Sequence, residues 1–256
     1  MTKRLAIILT VSILAGQATT HSQQAEHPEH HWSYSGKDGP KQWAHLEPDF
    51  FECSAGQHQS PINIHTHNAV TSGLPRLEFH YKPSPLTITD NGHTIEVDYA
   101  PGSALTIGGR SYELKQFHFH HPSEEHIDGK HFDVVAHLVH RDSGGNTVVV
   151  AVLLKAGSSN PLLETLWHNL PPEKEKPHVV PGVSIDLNQL LPASLGYYTF
   201  PGSLTTPPCT EIVTWYVLKS PESISSEQVA TFATIYPSDA RPIQPLHHRQ
   251  VAQTPY

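Results

Sequence analysis

The chain has 256 residues, with 16 Lys and Arg against 24 Asp and Glu and a formal net charge of -8. That length and its apolar content supply a core for one large domain or two small ones. No basic cluster is present that could hold a phosphate backbone, which argues against nucleic acid as a partner.

The opening MTKRLAIILTVSILAGQATT carries Lys3 and Arg4, an apolar run from Leu5 to Gly16, and then Gly16-Gln17-Ala18, a pattern that suits a signal peptidase. The run is too short to span a bilayer. Residues 1–18 are therefore read as a cleavable signal peptide on an exported protein with no stable membrane anchor, and a retained anchor is the alternative. Removal takes away two of the 16 basic residues and none of the 24 acidic ones, so the charge moves from -8 to -10. The compartment expected is the periplasm, or the medium if the protein is secreted.

Residues 19–31 form a histidine-rich lead, read as a flexible solvated segment, although EHPEHH has the composition of a metal-binding tail. Beyond it no linker, repeat or low-complexity block interrupts residues 32–256. The runs LTITDNGHTIEVDY, SALTIGGRSYELKQFHFH, HFDVVAHLVH, NTVVVAVLLKAG and EIVTWYVLK alternate with turn signals and predict strands. PLLETLWHNL predicts a helix. A second is expected to open at Ser225, where Gln228 three residues on completes a capping box. The proline-rich stretches NLPPEKEKPHVVPG and FPGSLTTPPCT are read as stiff loops. The fold class is mainly β (α+β): one sheet-dominated domain with short peripheral helices.

Cys53 and Cys209 fit an oxidising compartment, where two distant thiols more often pair than act as nucleophiles. A bridge would close most of the mature chain into one loop and stabilise by roughly 5 kcal/mol in the chain-entropy model. Two buried free thiols are the alternative.

The segment QFHFHHPSEEHIDGKHFDVVAHLVH concentrates histidines. With 21 histidines in 256 positions, about 1.7 His-x-His pairs arise by chance, so spacing alone carries little. Context separates the pairs. His118 and His120 lie at i and i+2 of a predicted strand and share one face, while Phe117 and Phe119 anchor the other. His65 and His67 run into polar turn residues. Catalytic zinc takes three protein ligands and leaves one position for water. His137 on the next strand can lie beside the His118/His120 strand across a turn near Asp128-Gly129. His140 is an odd step away and faces the opposite side. His121 points away from His120, and His126 lies beyond Pro122. A His118/His120/His137 zinc site and a merely histidine-rich surface both remain open on spacing.

The segments HHWSYSGKDGPKQW, QSPINI, DNGH, QFHFHHPSEEH, AHLVH, GSLTTPPCTEIVTW and RPIQPLHHR together resemble the alpha-class carbonic anhydrases of the bacterial, exported type, over about His31 to Arg249. The resemblance implies a single domain at 32–256, built on a large twisted, mostly antiparallel sheet of about ten strands. It implies one Zn2+ per chain at the foot of a conical cleft, held by His118, His120 and His137. The reaction implied is reversible hydration of carbon dioxide to bicarbonate and a proton by hydroxide on the zinc, in a monomer or homodimer.

Residue by residue, Gln116 matches the residue that orients the first ligand. Thr205 matches the threonine that accepts a hydrogen bond from the zinc hydroxide and passes its own proton to Glu125. Thr206 would place bicarbonate, and Val139, Val149, Leu204, Val213 and Trp215 would form the apolar wall against carbon dioxide. His93 matches the proton shuttle, with Tyr34 and Asn91 ordering relay waters. An imidazole with an ordinary pKa near 6.5 suits that task. Cys53 and Cys209 stand where exported members carry a disulfide, and Arg241 is read as structural.

Two departures stand out. Many relatives place a glutamate two residues before the third ligand, to accept its ring proton, where this chain has Val135. A lost partner of that kind costs roughly 10–100-fold in metal affinity or activity. Asp239 replaces a common asparagine, with little effect expected if the contact there is made by backbone. Two other functions fit parts of the sequence: a non-catalytic binding protein of the same fold, which loss of a ligand histidine would favour, and an exported zinc-storage protein binding several ions.

Overall fold

A computed structural model describes residues 31–255; the expected signal peptide at 1–18 and all of the expected lead except His31 lie outside the described residues. Each predicted strand run forms strands. The alternation of LTITDNGHTIEVDY produces Ser84–Asp90 and Ile95–Asp98 around a turn at Asn91-Gly92, where Gly92 takes φ +84°. Arg110–His120, Val134–Arg141, Thr147–Ala156 and Val213–Leu218 are the other long central strands.

They belong to a mixed sheet of thirteen strands, three more than expected. Across it the order is His178–Ile185, Ser84–Asp90, Ile95–Asp98, Arg110–His120, Val134–Arg141, Thr147–Ala156, Val213–Leu218, Tyr197–Gly202, Ala252–Gln253 and Val70–Thr71. Most pairs are antiparallel; Thr147–Ala156 runs parallel to Val213–Leu218.

Two of the stretches read as loops are partly strand. His178–Ile185 pairs only with Ser84–Asp90, at the sheet edge, and its register slips between Val179 and Ser184 around Pro181 and Gly182. An edge strand with a bulge tolerates a proline that a central strand would not, because no second neighbour needs its missing N–H. Tyr197–Gly202 takes the first three residues of FPGSLTTPPCT and pairs with Val213–Leu218.

The central strands are buried on both faces. On one, Phe117, Phe119, Ala136, Leu138, Val148, Val150 and Val152 pack beneath the two predicted helices. These are Pro161–His168, capped by the Asn160 side chain, and Ser226–Ile235, whose Ser225/Gln228 capping box is present in both halves. On the other face Val135, Val149, Ala151, Val213 and Trp215 pack with Ile62 and Ile64. Because successive side chains alternate, the same strands that bury Phe117 and Phe119 on one side present Gln116, His118 and His120 on the other.

Cys53 and Cys209 form a disulfide across 156 residues of sequence, beside buried Trp43. Arg241 has the structural role expected. Its guanidinium donates to Gln59 Oε1, the Ser60 carbonyl and the Cys53 carbonyl, and lies over the Trp43 ring. It thereby ties the segment after Ala240 to the disulfide region. No helix among the described residues is long and apolar enough to cross a membrane.

Candidate metal centre

The register of two strands assembles the three expected ligands. Between Arg110–His120 and Val134–Arg141, Leu114 pairs with His140, but Gln116 pairs with Val139, so Lys115 is an extra residue in a bulge. Without that slip His118 would stand opposite Ala136, and His137 would face the Phe117 side. With it, His118 pairs directly with His137. One donor atom from each of His118, His120 and His137 lies within 4.8 Å of the others, the one such three-residue metal-binding group among the described residues.

Each ring has one nitrogen committed away from the cluster. His118 Nδ1 is 2.8 Å from Gln116 Oε1, and Gln116 Nε2 donates in turn to Glu96 Oε2 at 3.1 Å. His120 Nδ1 is 2.8 Å from the Asp239 carbonyl, and His137 Nε2 is 3.0 Å from Glu125 Oε1. All three partners are acceptors, so the committed nitrogens carry the protons. His118 Nε2, His120 Nε2 and His137 Nδ1 are left with lone pairs turned to one point. His120 Nε2 is buried without a hydrogen-bond partner. Burial, and then the neighbouring His120 and His137, hold the His118 ring well below the usual histidine range. Three imidazoles that each turn one nitrogen to a common point are a zinc-type donor set with room for a fourth ligand, so the residues present fit the ion.

The two adjacent glutamates meet different partners. Glu125 was expected to take the proton of Thr205, but its carboxylate is buried against His137 Nε2. Glu124, which sequence reasoning passed over, has Oε1 accepting from the Arg241 N–H at 2.8 Å. Its Oε2 is buried without a hydrogen-bond partner, 3.7 Å from His120 Nε2 and 3.9 Å from His137 Nδ1. Of the two carboxylates, Glu124 faces the point where the ligand nitrogens converge.

Asp239 supports His120 through its backbone carbonyl, as expected if the departure from asparagine is benign. Its side chain accepts from the His121 N–H at 2.7 Å, and burial raises its carboxyl to about 7. His121 turns outward to the Asp133 carbonyl, and His140 lies on the far face, 2.7 Å from the Tyr81 hydroxyl. His65 precedes a short 3₁₀ turn and His67 lies within it, their rings 5.9 Å apart, and neither belongs to the three-histidine group.

The donor nitrogens open into a cavity of about 200 Å³. Val139, Val149, Leu204 and Trp215 give it an apolar wall, and Thr205 and Thr206 stand on the same lining. Val213, two residues before Trp215 on the same strand face, is buried with it in the apolar cluster on that side of the sheet. Tyr34, Asn91 and His93 line the cavity as well. Asn91 Oδ1 accepts from the N–H groups of His93 and Thr94, which fixes the turn carrying His93. The His93 ring stacks on Trp32 at 3.6 Å with an interplanar angle of 7°, and His31 stacks 5.4 Å away. Partial burial, with the charge of His31 adding to it, lowers the His93 pKa.

Comparison with known proteins agrees with this geometry. Residues 38–255 match the family model of the eukaryotic-type carbonic anhydrases. A carbonic anhydrase of Neisseria gonorrhoeae is 42% identical over 252 residues, covering 98% of this chain and 96% of the relative. One of Nostoc sp. is 41% identical, covering 87% of this chain and 85% of the relative. The solved structure of the alpha-carbonic anhydrase from Thermovibrio ammonificans with the inhibitor sulfanilamide superposes with a TM-score of 0.83. It has 41% identity, over 87% of this chain and 98% of that one. On the strength of the family match, the near full-length relatives and the shared fold, the chain belongs to the eukaryotic-type, or alpha, carbonic anhydrase family.

Proposed function

We propose that the protein hydrates carbon dioxide reversibly to bicarbonate and a proton, with one zinc ion held by His118, His120 and His137. The observation that carries this reading is the convergence of three imidazole nitrogens, on two buried rings and one half-buried ring, whose opposite nitrogens are all committed to acceptors. Zinc in such a site lowers the pKa of its water to about 7 and so supplies hydroxide at neutral pH.

The remaining steps fall to the chain. We assign the Thr205 hydroxyl proton to Glu124 Oε2, an acceptor with its other oxygen already occupied by the Arg241 N–H. A threonine that donates in that direction can only accept from the reacting oxygen, so it orients one lone pair toward the substrate. Glu125 gives its Oε1 to His137, so we place this task on its neighbour. Val139, Val149, Leu204 and Trp215 exclude water and receive a substrate with no charge to recognise. Thr206 supplies a hydroxyl to bicarbonate.

The proton then has to leave. His93 accepts it through ordered water and releases it outside, with Tyr34 and the amide of Asn91 lining the route. The lowered pKa keeps the ring neutral, and able to accept, near pH 7. The disulfide supports an oxidising location, and we assign the protein to the periplasm or to the secreted fraction.

Carbon dioxide hydration by Glu124→Gln and Glu125→Gln proteins tests the assignment. A loss of turnover of roughly 10²-fold or more in Glu124→Gln, larger than in Glu125→Gln, is expected for a group that orients the reacting oxygen. Equal activity of Glu124→Gln and native protein contradicts it.

A further inference from the structure

The ring of His137 presents a problem that the two strands do not solve. His118 is steadied by Gln116 from its own strand, two residues away and on the same face. The equivalent neighbour of His137 is Val135, which is fully buried among Ile62, Ile64 and Val149 and offers no acceptor. An unassisted His137 would leave Nε2–H without a partner in a site with almost no access to water, and either ring nitrogen could then carry the proton. A ring protonated on Nδ1 has no lone pair for a cation.

The chain supplies the acceptor from elsewhere. Glu125 belongs to the connection between the two ligand-bearing strands, and its Oε1 lies 3.0 Å from His137 Nε2, with both side chains about 1% exposed. That connection is pinned on both sides. Ser123 Oγ donates to the Glu125 carbonyl at 2.8 Å and accepts from the Phe132 N–H at 2.8 Å. One residue on, His126 and Ile127 pair with Asn63 and Ile64 in a small parallel ladder. The carboxylate is therefore delivered by fixed backbone.

We infer that Glu125 is the positioning residue of the third metal ligand, a carboxylate moved from the strand position occupied by Val135 into the preceding connection, and that positions 125 and 135 are alternative seats for one function. The inference rests on the zinc-site reading above. It accounts for the paired glutamates: Glu124 and Glu125 point to opposite sides of the His137 ring, one facing Nδ1 and the other Nε2. It also explains how the chain tolerates an apolar residue at 135. With a valine on the strand and the carboxylate in the loop, the ring still meets one acceptor at Nε2.

The test is zinc affinity, measured by competition with a chromophoric chelator, of the native protein, Glu125→Ala, Val135→Glu and the double variant Glu125→Ala/Val135→Glu. Glu125→Ala is expected to bind zinc roughly 10–100-fold more weakly, the usual cost of removing a carboxylate behind a ligating histidine. Val135→Glu in that background is expected to recover at least a factor of about 10, which a merely structural role for Glu125 would not produce. Zinc affinity of Glu125→Ala within about threefold of native, or a double variant no tighter than Glu125→Ala, overturns the inference. Should Glu125→Ala not fold, the double variant decides: folded protein with restored zinc affinity supports it, and failure to fold or to bind overturns it. Absence of zinc binding by the native protein would instead refute the zinc site itself.

Discussion

Replacing Cys53 and Cys209 together by serine removes the only covalent link between the first helical turns and the loop that carries Thr205 and Thr206. The bridge spans 156 residues. Loop closure over that length lowers the entropy of the unfolded chain by about 17 cal/mol/K, or about 5 kcal/mol at 25 °C. Whole-domain stabilities are only about 5–15 kcal/mol, so this is a third or more of the total. The native contacts around the bridge do not depend on the sulfur atoms alone. Arg241 still donates to the Cys53 carbonyl, and Gln59 Nε2 to the Cys209 carbonyl at 2.9 Å. The variant is therefore expected to fold with its cleft intact and to lose stability almost entirely through the unfolded state. Urea titration of the native and Cys53→Ser/Cys209→Ser proteins, followed by tryptophan fluorescence, gives the difference directly. A loss of about 3–5 kcal/mol with zinc content unchanged is predicted. A loss below about 1 kcal/mol would refute the entropic reasoning, and loss of zinc from the folded variant would refute the claim that the cleft stands without the bridge.

Other expectations follow from single contacts. Gln116→Ala frees His118 Nδ1 and is predicted to weaken zinc binding by roughly 10–100-fold in a chelator competition, with little change in melting temperature of the zinc-free protein. His93→Ala is predicted to lower turnover by roughly 100-fold in weak buffer, with rescue by added imidazole; turnover unchanged in weak buffer would remove His93 from the proton route. His140 is fully buried, and burial lowers its pKa to about 3 from the usual 6.5. Between those values the unfolded chain holds a proton that the folded protein does not, so this residue costs stability as pH falls below 6.5, by about 1 kcal/mol per pH unit. The urea-derived stability of His140→Gln is accordingly predicted to fall less steeply than native between pH 6.5 and 5, and equal slopes would contradict it.

Much of the centre was legible from local pattern. The period-2 alternation of QFHFH dictates that Phe117 and Phe119 go to the core and Gln116, His118 and His120 to the other face, and it does so. His137 required one further step, that the following strand pairs antiparallel. What the alternation could not reveal is the bulge at Lys115, without which the same two strands would put His137 on the wrong face. The capping box at Ser225 was readable because it is confined to four residues.

What the pattern left open shares a cause. Glu124 and Glu125 lie in a connection with no repeating geometry, where adjacent side chains do not obey a period and only tertiary contacts decide which one enters the cluster. The Asp239 carbonyl behind His120 lies 119 residues away in sequence, so a backbone contact at that position was expected but its partner was not named. The strand His178–Ile185 was hidden by Pro181, whose effect depends on whether a strand has one neighbour or two.

The most direct test of the account is stopped-flow carbon dioxide hydration by the protein lacking residues 1–18, with zinc determined on the same sample and on a His118→Ala/His120→Ala/His137→Ala variant. Rapid hydration with one zinc per chain, both lost in the variant, is predicted. Stoichiometric zinc with no hydration would leave a binding protein in place of an enzyme, and several zinc ions persisting in the variant would contradict the three-histidine centre.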